Sequence, residues 1–374
     1  MLEIRRQLGL IPGITLGMKL DENKGPRACP ILGRSPNQIV VAVAILTVLL
    51  GAASADAQSV VITNGGTYSG YNINWTDSAH PAILIETSAP VTISNSTIVT
   101  VGQAIASCDA TAGIYTIGTH VTIDSCNLEY DGPNPEGNAS SKERLVFIYE
   151  PAYFSATHNY VSGAGAQGMI VWGNTSGTSN SSASIVVACN DFVDCQNAVQ
   201  YGYLLNDPNL AIYFNRITQT PNYNHGDNIN IFDSSGTKTS PVNIQQNFVY
   251  CNPDAPQTVA AAGIQAGDKG DSCVSVYGNF VLNGPGCGIC IFYANGNTGS
   301  VDNNTVLGMG YDSQHGYSSG ISVATNGGSA SENSSGWWSP YSDAMVDYDG
   351  YTGIQNGNTS WDVTQVTLNK EQKL

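Results

Sequence analysis

The stretch Val242-Asn243-Ile244-Gln245-Gln246-Asn247-Phe248-Val249 recurs 32 residues later as Val274-Ser275-Val276-Tyr277-Gly278-Asn279-Phe280-Val281. Each copy reads apolar, x, apolar, x, x, Asn, x, apolar. The two apolar residues ahead of the Asn alternate as a half-buried strand demands. Earlier copies are Val91-Ile93-Ser96-Ile98, Val121-Ile123-Cys126-Leu128, Phe154-Ala156-Asn159-Val161, Ile185-Val187-Asn190-Phe192 and Leu210-Ile212-Asn215-Ile217. A weaker copy, Gly299-Val301-Asn304-Val306, follows. Successive polar members are 25 to 33 residues apart. That step fits one lap of a solenoid whose laps stack about 4.8 Å apart. The sequence therefore predicts an all-β fold: a right-handed, single-stranded parallel β-helix of eight or more turns.

The polar member is Asn in six of the eight copies. A side-chain amide can donate to one lap and accept from the other, so stacked Asn residues form a ladder. Asn also tolerates a left-handed backbone, which places it at the bend itself. Cys126 occupies a ladder slot and reads as a buried thiol.

A second set of strands follows each bend: Gly168-Met169-Ile170-Val171, Ala198-Val199-Gln200-Tyr201, Asn228-Ile229-Asn230-Ile231, Gly263-Ile264-Gln265-Ala266, Gly288-Ile289-Cys290-Ile291 and Gly320-Ile321-Ser322-Val323. If Met169, Val199, Ile229, Ile264, Ile289 and Ile321 point inward, the next residue of each points to solvent. That outward column reads Ile170, Gln200, Asn230, Gln265, Cys290, Ser322. Its polar middle is where a ligand could lie.

The ends read differently. Residues 39–53 are an apolar run preceded by Arg27 and Arg34 and followed by Ala55-Asp56-Ala57. This is the pattern of a secretory signal with a long n-region, cleaved after Ala57; an uncleaved anchor is the alternative. The run is shorter than the ~20 residues a membrane-spanning helix needs. Residues 58–330 form the β-helix, of which 58–90 cover the first edge. Residues 331–374 carry Trp337, Trp338, Tyr341, Tyr348, Tyr351 and Trp361. They read as a C-terminal cap or a sugar-stacking surface.

The first 57 residues hold six of the 13 basic and four of the 29 acidic residues, leaving a mature net charge of −18. Nucleic acid and anionic membrane surfaces are excluded as partners, because binding them needs positive charge. The expected mature protein is an extracellular monomer. Its eight remaining Cys residues are compatible with disulfides in an oxidising compartment.

Candidate chemistry clusters around the polar column. His225 and Asp227, two apart on an extended segment, face the same side and could act as base and orienter. Asp233 lies three residues after Asn230, and Asp268 three after Gln265, followed by Lys269 and Asp271. Stacked on adjacent laps, Asp233 and Asp268 would be only ~4.8 Å apart. Such carboxylates keep a proton between them or share a cation, so Asp233, Asp268 and Asp271 also make a calcium-type site. Lys269 and Arg216 are rare basic residues near this patch and could stabilise a carboxylate-bearing sugar. Gln200, Asn230, Gln265 and Arg216 are the substrate-binding candidates.

The turn pattern over residues 85–325 resembles the pectate-lyase-like superfamily of secreted β-helix proteins. The segment His225-Gly226-Asp227-Asn228-Ile229-Asn230 looks like the H-x-D-x-I-Q element of many such proteins, with Asn230 where Gln is usual. The resemblance implies the fold. Members include polysaccharide lyases, polygalacturonase-type hydrolases, sugar epimerases and non-catalytic surface proteins, so activity does not follow from fold. The catalytic sets of the first three are missing here. Two functions stay open: an enzyme, lyase or hydrolase, acting on an extracellular polysaccharide, or a non-catalytic module that binds glycans or serves as a rigid scaffold.

Overall fold

The computed structural model describes residues 59–133, 143–174, 183–220, 226–252, 262–267, 273–283, 286–292, 299–309, 319–324, 329–331, 333–338, 354–356 and 359–362. These fall in one compact unit, Ala57–Gln365. The signal-like segment lies outside the described residues, among which no helix is long and apolar enough to cross a membrane.

The unit is a right-handed parallel β-helix. Each lap lays one strand in each of three sheets. Sheet I has ten strands, from Val60–Ile62 to Ser319–Ala324; sheet II has eleven, from Gly66–Ser69 to Ile354–Asn356; sheet III has eleven, from Asn72–Trp75 to Thr359–Asp362. Within each sheet every strand pairs in parallel with the strand of the next lap, and among the described residues only a short hairpin, Cys108–Asp109 with Ile114–Tyr115, is antiparallel.

The alternation explains the packing. In sheet II, Ile93, Ile123, Ala156, Val187, Ile212, Ile244, Val276 and Val301 stack in register and are fully buried. Each buried aliphatic side chain contributes roughly 1.5–3 kcal/mol. The coil interior is therefore a continuous apolar column, and no lap can bury its inward face alone.

The polar ladder runs along the corner between sheets II and III. At Asn159, Asn190, Asn215, Asn247 and Asn279, Oδ1 of the next ladder Asn accepts both the backbone N–H and an Nδ2–H, at 2.9–3.0 Å. The ladder continues through Asn304 to Asn333, one rung beyond the sequence reading. Cys126 fills its slot as a buried free thiol.

The structure revises three expectations. The left-handed residue at this corner is the one before the ladder member: Asn95, Ser125, His158, Cys189, Phe214, Gln246, Gly278 and Asn303, with φ between +46° and +64°. The ladder Asn must aim its amide inward along the axis, so its predecessor takes the turn. Residues 60–85 are not an edge cover but a full lap and the start of the next. The coil also does not end at residue 330: Ser329–Ser331, Ser334–Trp338, Ile354–Asn356 and Thr359–Asp362 extend sheets II and III in register.

Among the described residues Cys108, Cys126, Cys195 and Cys251 are buried free thiols, and Cys287 is bonded to Cys290. Burial pushes the Cys108 and Cys251 thiols up to about 12 and raises those of Cys126 and Cys195. A thiol is reactive only as thiolate. In the native protein at pH 8, Cys108, Cys126, Cys195 and Cys251 should resist a thiol-specific chromogenic reagent, then react together in denaturant. Fast labelling of any of the four under native conditions would contradict this packing.

Candidate functional site

The outer face of sheet I carries the polar column predicted from the sequence. Ile170, Gln200, Asn230, Gln265, Cys290 and Ser322 are register partners in unbroken succession. A second outward column runs three residues earlier. Its members include Arg144 and Gln167, register partners, and Ala262 and Cys287, likewise paired. In a regular strand, residues three apart point to opposite faces. Here they meet: Arg144 lies over Phe147, Asp227 bonds to Asn230, and Cys287 is joined to Cys290.

The strands therefore lose their alternation once, between the two columns. Gly168, Gly263 and Gly288 stand at that irregularity, where laps approach closely. A Cβ on Gly168 would lie 2.4 Å from the Ala198 carbonyl oxygen, and one on Gly288 would lie 2.5 Å from that of Gly320. Glycine within a strand marks such an approach.

This changes the expected exposure of the column. Gln200 and Asn230 point away from the core yet are only 8% and 4% exposed. The reason is visible at Asn230: the neighbouring outward column folds over it. Asp227 accepts the Asn230 Nδ2–H at 2.6 Å through Oδ2 and the Ala262 N–H at 2.9 Å through Oδ1. Asn230 Oδ1 is buried and has no protein partner. Asp227 thus braces two laps and holds the buried Asn230 amide in place.

A third outward column, two residues on, runs Tyr149, Trp172, Gly202, Phe232. Because Gly202 has no side chain, the Trp172 ring leans over its strand; a Cβ there would fall 2.6 Å from Trp172 Cε3. Tyr203 and Phe232 close the group, with ring centroids 5.2 and 5.9 Å from Trp172. At the other end Tyr115, on the hairpin and 54% exposed, meets Tyr149 edge-on at 5.5 Å. Phe147, Ile170, Ala106 and Cys108 form a small apolar cluster beneath these rings. The result is a half-exposed aromatic strip along several laps, bordered by amides.

Arg144 sits at the head of the strip. Its Cζ lies 4.4 Å from the Phe147 ring centroid and 5.6 Å from that of Trp172, and Nε donates to Gln167 Oε1 at 3.0 Å. Burial pulls its pKa below the usual guanidinium value, yet the group stays charged.

The remaining predicted residues separate. Arg216 belongs to sheet III, paired with Asp191 at 3.6 Å, and does not join the column: the chain turns a corner between Arg216 and Asn230. Asp233 is half-buried, and its backbone takes the left-handed turn after the sheet I strand, φ +45°. His225, Asp268, Lys269 and Asp271 lie outside the described residues. The Asp233–Asp268 pairing and the calcium-type site therefore rest on the sequence, and no group of three or more metal-ligating side chains occurs among the described residues. Sequence reasoning missed Arg144, Tyr149, Trp172, Tyr203 and Phe232. A signal existed: Trp172 and Phe232 each fall two residues after a member of the polar column.

No family model matches the chain, and no curated protein matches it. Among solved structures, the chain is similar to the crystal structure of the Dettilon tailspike protein (gp208), with a TM-score of 0.39 and 14% identity over 81% of this chain and 60% of that one.

Proposed function

We propose that this chain is a secreted β-helix protein that binds an extracellular polysaccharide along the outer face of sheet I. One observation carries the reading: the Trp172 ring reclines over Gly202, giving a half-exposed aromatic surface beside the partly exposed amide of Gln265, with Gln200 and Asn230 buried alongside it. Pyranose rings offer apolar C–H faces and hydroxyl edges. An indole face covers the first, and amides that both donate and accept satisfy the second. The resemblance to pectate-lyase-like proteins supports the same ligand class.

Asp227, one of the carboxylates the enzyme reading assigns to catalysis, already accepts a hydrogen bond at each oxygen. The enzyme form of this proposal, a lyase or hydrolase, assigns acid/base work to Asp227, Asp233 and Asp268, with His225 or Lys269 assisting. The absence of a complete lyase or hydrolase signature favours binding over turnover.

A panel of neutral and acidic oligosaccharides, titrated calorimetrically against the full chain, tests the proposal. At least one should bind. Trp172→Ala should then weaken binding at least 30-fold, about 2 kcal/mol at 1.4 kcal/mol per tenfold. Gly202→Val, which displaces the ring without removing it, should cost nearly as much while circular dichroism stays native. Binding indifferent to both variants would end the proposal. Release of unsaturated or reducing-end products, lost in Asp233→Asn, would convert the module into an enzyme.

A further inference from the structure

Among the described residues, Arg144 is a cation with no carboxylate at ion-pair distance. The chain carries 29 acidic residues against 13 basic ones. Yet the ion pairs among the described residues are His80–Asp109, His158–Asp124 and Arg216–Asp191, and none involves Arg144. Its single side-chain hydrogen bond goes from Nε to a neutral amide, Gln167. The rings of Phe147 and Trp172 remove water from the guanidinium, which makes any later anion contact stronger than it would be in bulk solvent. Among the described residues no Arg144 nitrogen is both fully buried and unpartnered, so its unbonded Nη atoms keep some contact with solvent. A guanidinium edge of that kind matches a carboxylate with two parallel hydrogen bonds.

From this we infer that the glycan held on sheet I carries an isolated anionic group, a carboxylate-bearing sugar within an otherwise uncharged repeat, and that Arg144 selects it. The inference rests on the proposed glycan site and names its substrate class. With Cζ 5.6 Å from the Trp172 centroid, one pyranose can place its face on the indole and its carboxylate on Arg144. The same charge balance argues against a dense polyanion. A chain with net charge −16 repels a uniformly charged polymer, while one Arg can neutralise only one group.

Three ligands decide the matter with the intact protein: an oligosaccharide alternating a uronate with an acetamido sugar, its carboxyl-reduced form, and oligogalacturonate of equal length. The alternating acid should bind at least tenfold tighter than the other two. Arg144→Met, which keeps an apolar stem over Phe147, should erase that preference. Arg144→Lys should restore only part of the preference, because an ammonium cannot make the paired bonds. Equal binding of acid and reduced forms, or an unchanged preference in Arg144→Met, overturns the inference while leaving the glycan site standing. Failure of all three ligands, or loss of the reduced form alone in Trp172→Ala, bears on the site itself. If no sugar binds, both readings fall together.

Discussion

Replacing Asn247 by Ala should destabilise the β-helix by about 4 kcal/mol, because several buried groups lose their partners at once. Asn247 Oδ1 accepts the Asn215 N–H and an Asn215 Nδ2–H, both at 3.0 Å. Its own Nδ2 donates to the Ile212 carbonyl and to Asn279 Oδ1, also at 3.0 Å. Alanine keeps the backbone N–H bond to Asn279 but strands the others in a dry interior. Each orphaned buried group costs roughly 1–3 kcal/mol, and water cannot enter to replace the partner. Ser96 at the ladder's start is a useful contrast. Its Oγ makes two bonds rather than four, donating to the nearby Ser94 carbonyl and accepting the Tyr71 N–H from the preceding lap, so Ser96→Ala should cost less than half as much. Urea unfolding of both variants measures the difference, and protection of the Asn215 amide from hydrogen exchange should collapse only in Asn247→Ala. A loss under about 1 kcal/mol at Asn247 would mean that the laps relax around the gap and that the ladder is not a principal brace.

The ladder was legible in the sequence because one residue type at one spacing encodes both its hydrogen bonds and its period. The outward column was legible for a related reason. Once Met169, Val199 and Ile229 point inward, alternation leaves Ile170, Gln200 and Asn230 no choice of face. What alternation cannot reveal is where it fails. Arg144 and Phe147, three apart, should face opposite ways; they meet because the strands break step beside residues such as Gly168, whose need is set by a carbonyl one lap later. The tilt of Trp172 likewise depends on Gly202, distant in sequence and adjacent in space. Arg216 misled in the opposite sense, near Asp227 along the chain but on another sheet. Phe214 and Gln246 take left-handed turns that no turn propensity would assign to them; the ladder Asn that follows each imposes the bend.

Asp207 offers the second large effect, and its sign follows from burial. Its carboxyl is 1% exposed, accepts the Ala183 backbone N–H, and leaves Oδ1 buried without a partner. Among the described residues no cation is paired with it. Desolvation therefore pushes its pKa up to about 7. An unfolded Asp releases its proton near pH 3.9. The folded state thus holds a proton that the unfolded state has lost between about pH 4 and 7, and stability falls across that window as pH rises. At about 1.4 kcal/mol per unit the full loss is of order 4 kcal/mol, complete above pH 7. Asp207→Asn keeps the shape and the acceptor for Ala183 while removing the charge. The variant should match the parent near pH 4 and exceed it by a few kcal/mol at pH 8. Subtracting the two pH profiles of urea-unfolding free energy isolates Asp207 from every other carboxylate. A difference that stays flat from pH 4 to 8 would show that this carboxyl ionises in the fold as easily as in water. The loop that Asp207 anchors, through its N–H to the Ser235 carbonyl, begins at Tyr203, one of the rings packed on Trp172. Ionisation that loosens this loop should therefore weaken glycan binding in the same pH window, and Asp207→Asn should abolish that pH dependence too.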